Sequence, residues 1–168
     1  MRGYLTGIGS RDTPQEVLEV MTSLAKAYTS AGWILRSGGA VGADTAFEEG
    51  AGDAKEISYA NIHEYVSTTV YTKAQNIASH VHPVWSQLSD MVKKLHTRNV
   101  FQVLGKDLKT PSLLLICWTG DKCISYETRT RDTGGTGTAI GIASLAKIPI
   151  INLARPDHLW RANLIIGR

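Results

Sequence analysis

Ser37-Gly38-Gly39-Ala40-Val41-Gly42-Ala43-Asp44 follows the apolar segment Trp33-Ile34-Leu35 with Arg36 and precedes Thr45-Ala46-Phe47-Glu48-Glu49. A strand that runs into a Gly-rich turn and then into a helix start is the unit from which α/β domains are built. Three glycines and two alanines leave the backbone free of bulk, so N–H groups can approach a ligand closely, and the helix N-terminus adds positive potential. That is the physics of a phosphate cradle. The logic repeats downstream, where the apolar strand Ser112-Leu113-Leu114-Leu115-Ile116-Cys117-Trp118 is followed, after a polar loop, by Thr133-Gly134-Gly135-Thr136-Gly137-Thr138 and then Ala139-Ile140-Gly141-Ile142-Ala143. Two such turns imply one ligand held between them; the alternative is that the glycines only make tight strand-to-helix turns. No Lys lies in either loop, as a Walker motif would need, and only Gly7-Ile8-Gly9-Ser10-Arg11 follows the first strand, where a dinucleotide fingerprint would stand. ATP hydrolysis and ordinary NAD redox chemistry lose ground, and no cofactor is expected.

The chain of 168 residues suits one domain with a single well-buried core. Hydrophobic residues make up 43% and charged residues 20%, an ordinary globular balance with no room for a long disordered tail. The formal charge of +3 is compatible with an anionic ligand but falls short of the concentrated patch of a dedicated nucleic-acid binder. Cys117 and Cys123 give neither a disulfide framework nor a zinc spacing, and both read as reduced thiols. Without an apolar leader after Met1 or a run long enough to span a bilayer, a soluble cytoplasmic protein with no membrane partner is expected.

Outward from the Gly-rich turn, the pattern predicts a strand over Tyr4 to Ile8, then a capping box at Thr13-Pro14-Gln15-Glu16 with Pro at the first helical position. Val17, Leu18, Met21, Leu24, Ala25 and Tyr28 recur at helical spacing up to the stop at Gly32. A second strand covers Trp33 to Arg36, a second helix Asp44 to Ala51, and a third strand Lys55 to Tyr59. Residues 60–82 read poorly, with a short helix over Val70 to Ser79. Val84, Leu88, Met91, Val92 and Leu95 form a stripe that continues through Val100, Val103 and Leu104, predicting one long helix with Arg98 near its middle. A small-residue helix from Ala139 to Ala146 and a last strand over Ile148 to Leu153 complete a Rossmann-like parallel sheet with helices on both faces. Its carboxyl edge collects Gly9-Ser10-Arg11, Ser37 to Asp44 and Thr133 to Thr138 at one site.

In that order, Gly9-Ser10-Arg11, the Ser37 to Asp44 stretch, Arg98-Asn99 and Gly134-Gly135-Thr136-Gly137-Thr138 resemble the SLOG superfamily, and the match spans most of the chain. That superfamily includes the Lonely Guy phosphoribohydrolases, the DNA-processing protein A core and the YspA-like branch common in phages and bacteria. The Ser-Gly-Gly-Ala-x-Gly-Ala-Asp form looks most like the YspA-like branch. The resemblance implies a Rossmann-like fold that binds a nucleotide or a nucleotide-derived, ADP-ribose-like signal, as sensor or sequestering protein, and a homo-oligomer. It names as ligand-binding candidates Gly9, Ser10, Arg11, Ser37, Gly38, Gly39, Ala40, Gly42, Asp44, Arg98, Gly134, Gly135, Thr136, Gly137 and Thr138, to which Trp118 is added from its place at the end of an apolar strand. In the hydrolase branch an Arg matched by Arg98 works with a Glu in Pro-Gly-Gly-x-Gly-Thr-x-x-Glu, but here that Glu position is Gly141, beside Ile140. Losing a positioned carboxylate costs orders of magnitude in glycosidic cleavage. Arg98 and Glu48 are therefore the catalytic candidates only if the chain is an enzyme, which would then cleave an N-glycosidic bond. Asp44 and Glu49 are other acids near the turn. A DNA-binding accessory resembling DNA-processing protein A stands as the third reading, with nucleic acid not favoured.

Several side chains carry two readings. Arg11 reaches a phosphate or pairs with a surface acid; Asp44 accepts from a ribose hydroxyl or caps the second helix; Trp118 stacks on a base or packs in the core. His80 and His82 have a spacing too weak for a metal site, and none is expected. His96 sits close enough to Arg98 to line the site. The long polar loop Thr119 to Thr133, with Tyr126, Arg129 and Arg131, reads either as a lid over bound phosphate or as a mobile surface loop.

Overall fold

A computed structural model describes residues 2–56 and 59–168. Four strands, β1 (Gly3–Gly7), β2 (Trp33–Arg36), β3 (Leu114–Cys117) and β4 (Ile150–Asn152), form an all-parallel sheet in the order β2-β1-β3-β4. Leu5 of β1 stands opposite both Leu35 and Leu114. The chain therefore steps to one side of β1 for β2 and to the other for β3. The connections leave β1 and β3 in opposite directions, which opens a crevice beyond their carboxyl ends.

Six α-helices cover the sheet. Helices α1 (Gln15–Ser30), α2 (Ala43–Ala51) and α6 (Pro156–Ile165) supply one apolar layer, in which Met21, Leu24 and Phe47 pack on Leu5, Leu35 and Ile116. Helices α3 (Thr68–Val81), α4 (Asp90–Leu104) and α5 (Thr136–Leu145) supply the other, where Phe101, Val103 and Ile140 pack with Leu115 and Cys117. Successive residues Leu115, Ile116 and Cys117 alternate between the two layers, as the strand period of two requires. That is why β3 reads as an unbroken apolar run. The α1–α2 crossing is close enough that a Cβ at Gly50 would lie 2.0 Å from the carbonyl oxygen of Thr22.

The fold departs from the sequence-based expectations at five places. Thr13 does not cap α1: its hydroxyl donates to the carbonyl of Ser10, and Pro14 keeps an extended ψ of 149° just outside the helix. The third strand shrinks to one parallel bridge between Leu35 and Lys55, Ile57 and Ser58 lie outside the described residues, and a 3-10 turn occupies Tyr59–Glu64. The single long helix is broken. A 3-10 turn spans Trp85–Gln87, Leu88 is extended, and Ser89 caps α4 by accepting from the Val92 N–H. The break leaves the first half of the apolar stripe facing outward, with Met91 75% exposed, while its second half is buried at Val100 and Val103 together with Phe101. Helix α5 begins at Thr136, inside the second Gly-rich turn, so Thr136, Gly137 and Thr138 form its first helical turn. Helix α6, announced by Pro156 at its first turn, was not foreseen from the sequence.

At the end of β2, Arg36 is buried among partners from three segments. Its guanidinium donates to the Glu56 carboxylate at 3.2 Å and to the Thr110 carbonyl at 2.6 Å, and stacks 3.6 Å from the centre of the Tyr4 ring. Removing it strands those acceptors, so Arg36→Ala should lower unfolding free energy by about 3 kcal/mol. Urea denaturation of the variant measures this, and a loss below about 1 kcal/mol would show that Arg36 is only a surface charge.

Candidate functional site

The crevice beyond β1 and β3 is a cleft of about 630 Å³. The segment after β1 (Ile8 to Asp12) forms one wall, α4 contributes Val92, Leu95, His96, Arg98 and Asn99, and the second Gly-rich turn closes it with Asp132 to Thr136. Ala40 and Asp44 stand for the first Gly-rich turn. Gly9 keeps this wall close to α2, because a Cβ there would lie 2.7 Å from that of Ala43.

The first Gly-rich turn is occupied by the protein itself. Asp44 is buried in the first turn of α2, and its carboxylate accepts from the backbone N–H of Gly38 at 3.1 Å and of Ala40 at 3.4 Å. Neither sequence reading of Asp44 describes this: Gly42 is the residue that caps α2, and Asp44 reaches back to close the turn. Arg98 comes across from α4 and donates to the Gly38 carbonyl at 3.0 Å. A Cβ at Gly38 would sit 2.7 Å from its Nε and 2.8 Å from an Asp44 carboxylate oxygen, so only glycine fits. Burial raises the Asp44 pKa to about 6, against the pull of Arg98 and of its two N–H donors. Burial likewise lowers that of Arg98, and the nearby Arg11 lowers it further.

The second turn is arranged differently. Gly135 precedes α5 with no side chain capping the helix, and the N–H groups of Gly135 and Thr136 have no hydrogen-bond partner among the described residues. Gly135 has ordinary helical angles, and a Cβ at Gly134 or Gly135 would meet nothing within 4 Å. This turn faces open cleft. Asn99 fixes it by donating to the Gly135 carbonyl at 2.8 Å, which leaves its own Oδ1 buried and unpartnered on the cleft wall. The loop 119–133 behind it is tied down. Asp121 accepts from the hydroxyls of Thr130 and Thr133, Asn152 donates to the Thr119 hydroxyl and the Cys123 carbonyl, and Arg129 donates to the Val81 carbonyl at the end of α3.

Of the residues singled out from the sequence, Gly9, Ser10, Arg11, Ala40, Asp44, Arg98, Gly134, Gly135 and Thr136 meet at the cleft, and His96 joins them. Ser37 and Gly38 are buried behind Asp44 and Arg98, Gly39 and Gly42 lie outside the lining, and Gly137 is covered by Arg129. Thr138 is fully buried, with its hydroxyl 2.8 Å from His96 Nδ1. Trp118 packs half-buried against the α1–α2 layer and stays out of the cleft. Glu48 pairs with Lys55 at 3.6 Å and does not line the cleft either. Where the hydrolase pattern carries its Glu, Ile140 is fully buried and a Cβ at Gly141 would lie 2.7 Å from Val81 Cγ1. Asp12 and Asp132 were not foreseen; both are exposed rim acids whose place depends on how two distant loops meet.

Two buried titrating groups on opposite sides of the cleft act in opposite senses. Burial, with His82, Arg129 and Arg98 around it, lowers the His96 pKa to about 4. Its contribution to stability is complete above the usual 6.5 and is lost as pH falls through 4. Asp44 favours its protonated form in the fold, so its contribution is complete below the usual 3.8 and is lost as pH rises through about 6. Each is worth on the order of 3 kcal/mol. Between pH 4 and 7 the Tm of Asp44→Asn should rise relative to the parent protein, and that of His96→Asn should fall. Thermal melts across this range check both slopes; two flat differences would show that neither group is buried as described.

No family model matches the chain, and no curated protein or solved structure matches it.

Proposed function

We propose that the chain binds a nucleotide or a nucleotide-derived, ADP-ribose-like signalling molecule in this cleft, as a sensor or sequestering protein of SLOG type. The observation that carries the reading is the uncapped N-terminus of α5, whose free N–H groups at Gly135 and Thr136 share one cleft with Arg11. An anion there takes two backbone donors, the positive end of a ten-residue helix and a guanidinium fork. Arg11 is exposed and forms no ion pair among the described residues, and it lies near enough to Arg98 for the two charges to disfavour each other. A phosphate would relieve that repulsion.

The other readings have less to rest on. Hydrolysis of an N-glycosidic bond needs a carboxylate positioned against the sugar; Asp44 is held by Gly38 and Ala40, and the other two acids of the cleft, Asp12 and Asp132, are exposed on its rim. A nucleic-acid groove would present a basic stripe, whereas Asp12, Asp44 and Asp132 share the cleft with Arg11 and Arg98.

Calorimetry with AMP and adenosine tests the proposal. AMP should bind at least about ten-fold more tightly than adenosine, and Arg11→Ala should remove about 2 kcal/mol of AMP affinity with an unchanged Tm. Equal binding of the two ligands, or an Arg11→Ala variant of unchanged affinity, would move the phosphate elsewhere. Adenine released on incubation with AMP would establish hydrolysis instead.

A further inference from the structure

A second cavity, of about 840 Å³, adjoins the cleft and shares His96 and Gly134 with it. Its walls come from the end of α3 and the segment after it (Val81 to Val84) and from the loop before α5, with Tyr126, Arg129 and Arg131. The function proposed above does not use it. Four features bear on what it could hold.

The wall between the two spaces is uncharged. His96 is kept neutral by burial and by cations on both sides, Arg98 toward the cleft and Arg129 toward the cavity. Its ring packs 4.3 Å from that of His82, which burial and Arg129 also hold toward the neutral form. The cavity carries more positive than negative charge, since Arg129 and Arg131 line it against one acid, Glu127, and neither forms an ion pair among the described residues. It also offers ring surface, because Tyr126 is 41% exposed and lines the cavity with His82. Between the two spaces lies Gly134, at φ +63° with nothing near its missing side chain, next to the free N–H groups of Gly135 and Thr136.

From this juxtaposition we infer that the bound molecule has two cyclic ends joined by a diphosphate, one end in the cleft, the diphosphate across Gly134, and the second end in the cavity against Tyr126 and His82. The inference rests on the nucleotide-binding reading and narrows it to ligands of dinucleotide length. A mononucleotide fills only the first space. The diphosphate then lies between Arg11 on one side and Arg131 on the other, over the α5 N-terminus. The second ring gains contact with neutral aromatic side chains.

Calorimetry on the full chain with AMP, ADP-ribose and NAD as probes, repeated on Tyr126→Ala and Arg131→Ala, tests it. Either diphosphate ligand should bind at least ten-fold more tightly than AMP. Each variant should cut that advantage several-fold while changing AMP affinity less than two-fold, because neither side chain lines the first cleft. If AMP binds and neither ADP-ribose nor NAD binds more tightly, or if both variants keep the advantage, the second cavity is no part of the site and the inference falls while the cleft reading stands. If none of the three binds, the cleft reading falls and this one with it.

Discussion

The carboxylate of Asp44 sets the shape of the first Gly-rich turn at the carboxyl edge of the sheet. A buried acid must find donors, and Asp44 finds them in the N–H groups of Gly38 and Ala40, a few residues earlier in its own turn. The turn is thereby wound back over the start of α2. The remaining charge is balanced from the opposite layer by Arg98, whose guanidinium lies along Gly38 with no room for a side chain beneath it. One acid thus ties the loop after β2 to the first turn of α2 and faces the Arg98 charge that α4 brings across. Gly38 is required by the protein's own packing, and Gly39 and Gly42 by their positive φ of 69° and 99°.

The second Gly-rich turn has the same composition and the opposite logic. At Gly134 and Gly135 the space a side chain would fill is empty, and the N–H groups of Gly135 and Thr136 are left without partners. What holds this turn is outside it: Asn99 on its carbonyl, and Thr130 and Thr133 hydroxyls gathered on Asp121. Helix α5 behind it is buried along Thr136 to Ala143, and its small residues admit close neighbours, with Arg129 over Gly137 and Val81 over Gly141. The helix end is presented rigidly, so a ligand would meet donors already in place.

The fold was legible where period and punctuation agree: β1, α1, β2 and α2 follow from apolar spacing and from the glycines at 32 and 38–42. The break at Ser89 was not, because a serine inside an apolar stripe looks like a polar position until its side chain is seen to take the Val92 N–H. The start of α5 was hidden for a related reason, since Thr136-Gly137-Thr138 has poor helix propensity and is helical because it is buried. Arg11 and the second turn could be placed in the cleft from the strand–helix alternation, and Arg98 from the family resemblance. The role of Asp44 could not, because an acid in the first turn of a helix reads the same whether it caps, binds or reaches backwards. Asp12 and Asp132 belong to the cleft only through the meeting of two loops some 120 positions apart.

His96 shows how the two layers of polar chemistry are kept separate. It lies on α4 two positions before Arg98, with its Nδ1 against the Thr138 hydroxyl, and it is enclosed by His82, Arg129 and Arg98. A charged imidazole there would face cations on every side, and burial removes the solvent that could screen them. The ring therefore stays neutral at ordinary pH and works as a polar but uncharged partition, able to lie beside a ligand without competing with it for the arginines. Arg129 in turn spends one N–H on the Val81 carbonyl, which holds the end of α3 beside that partition. The positive charge of this edge is thus divided into two separate groups, Arg11 with Arg98 and Arg129 with Arg131, with the free end of α5 lying between them.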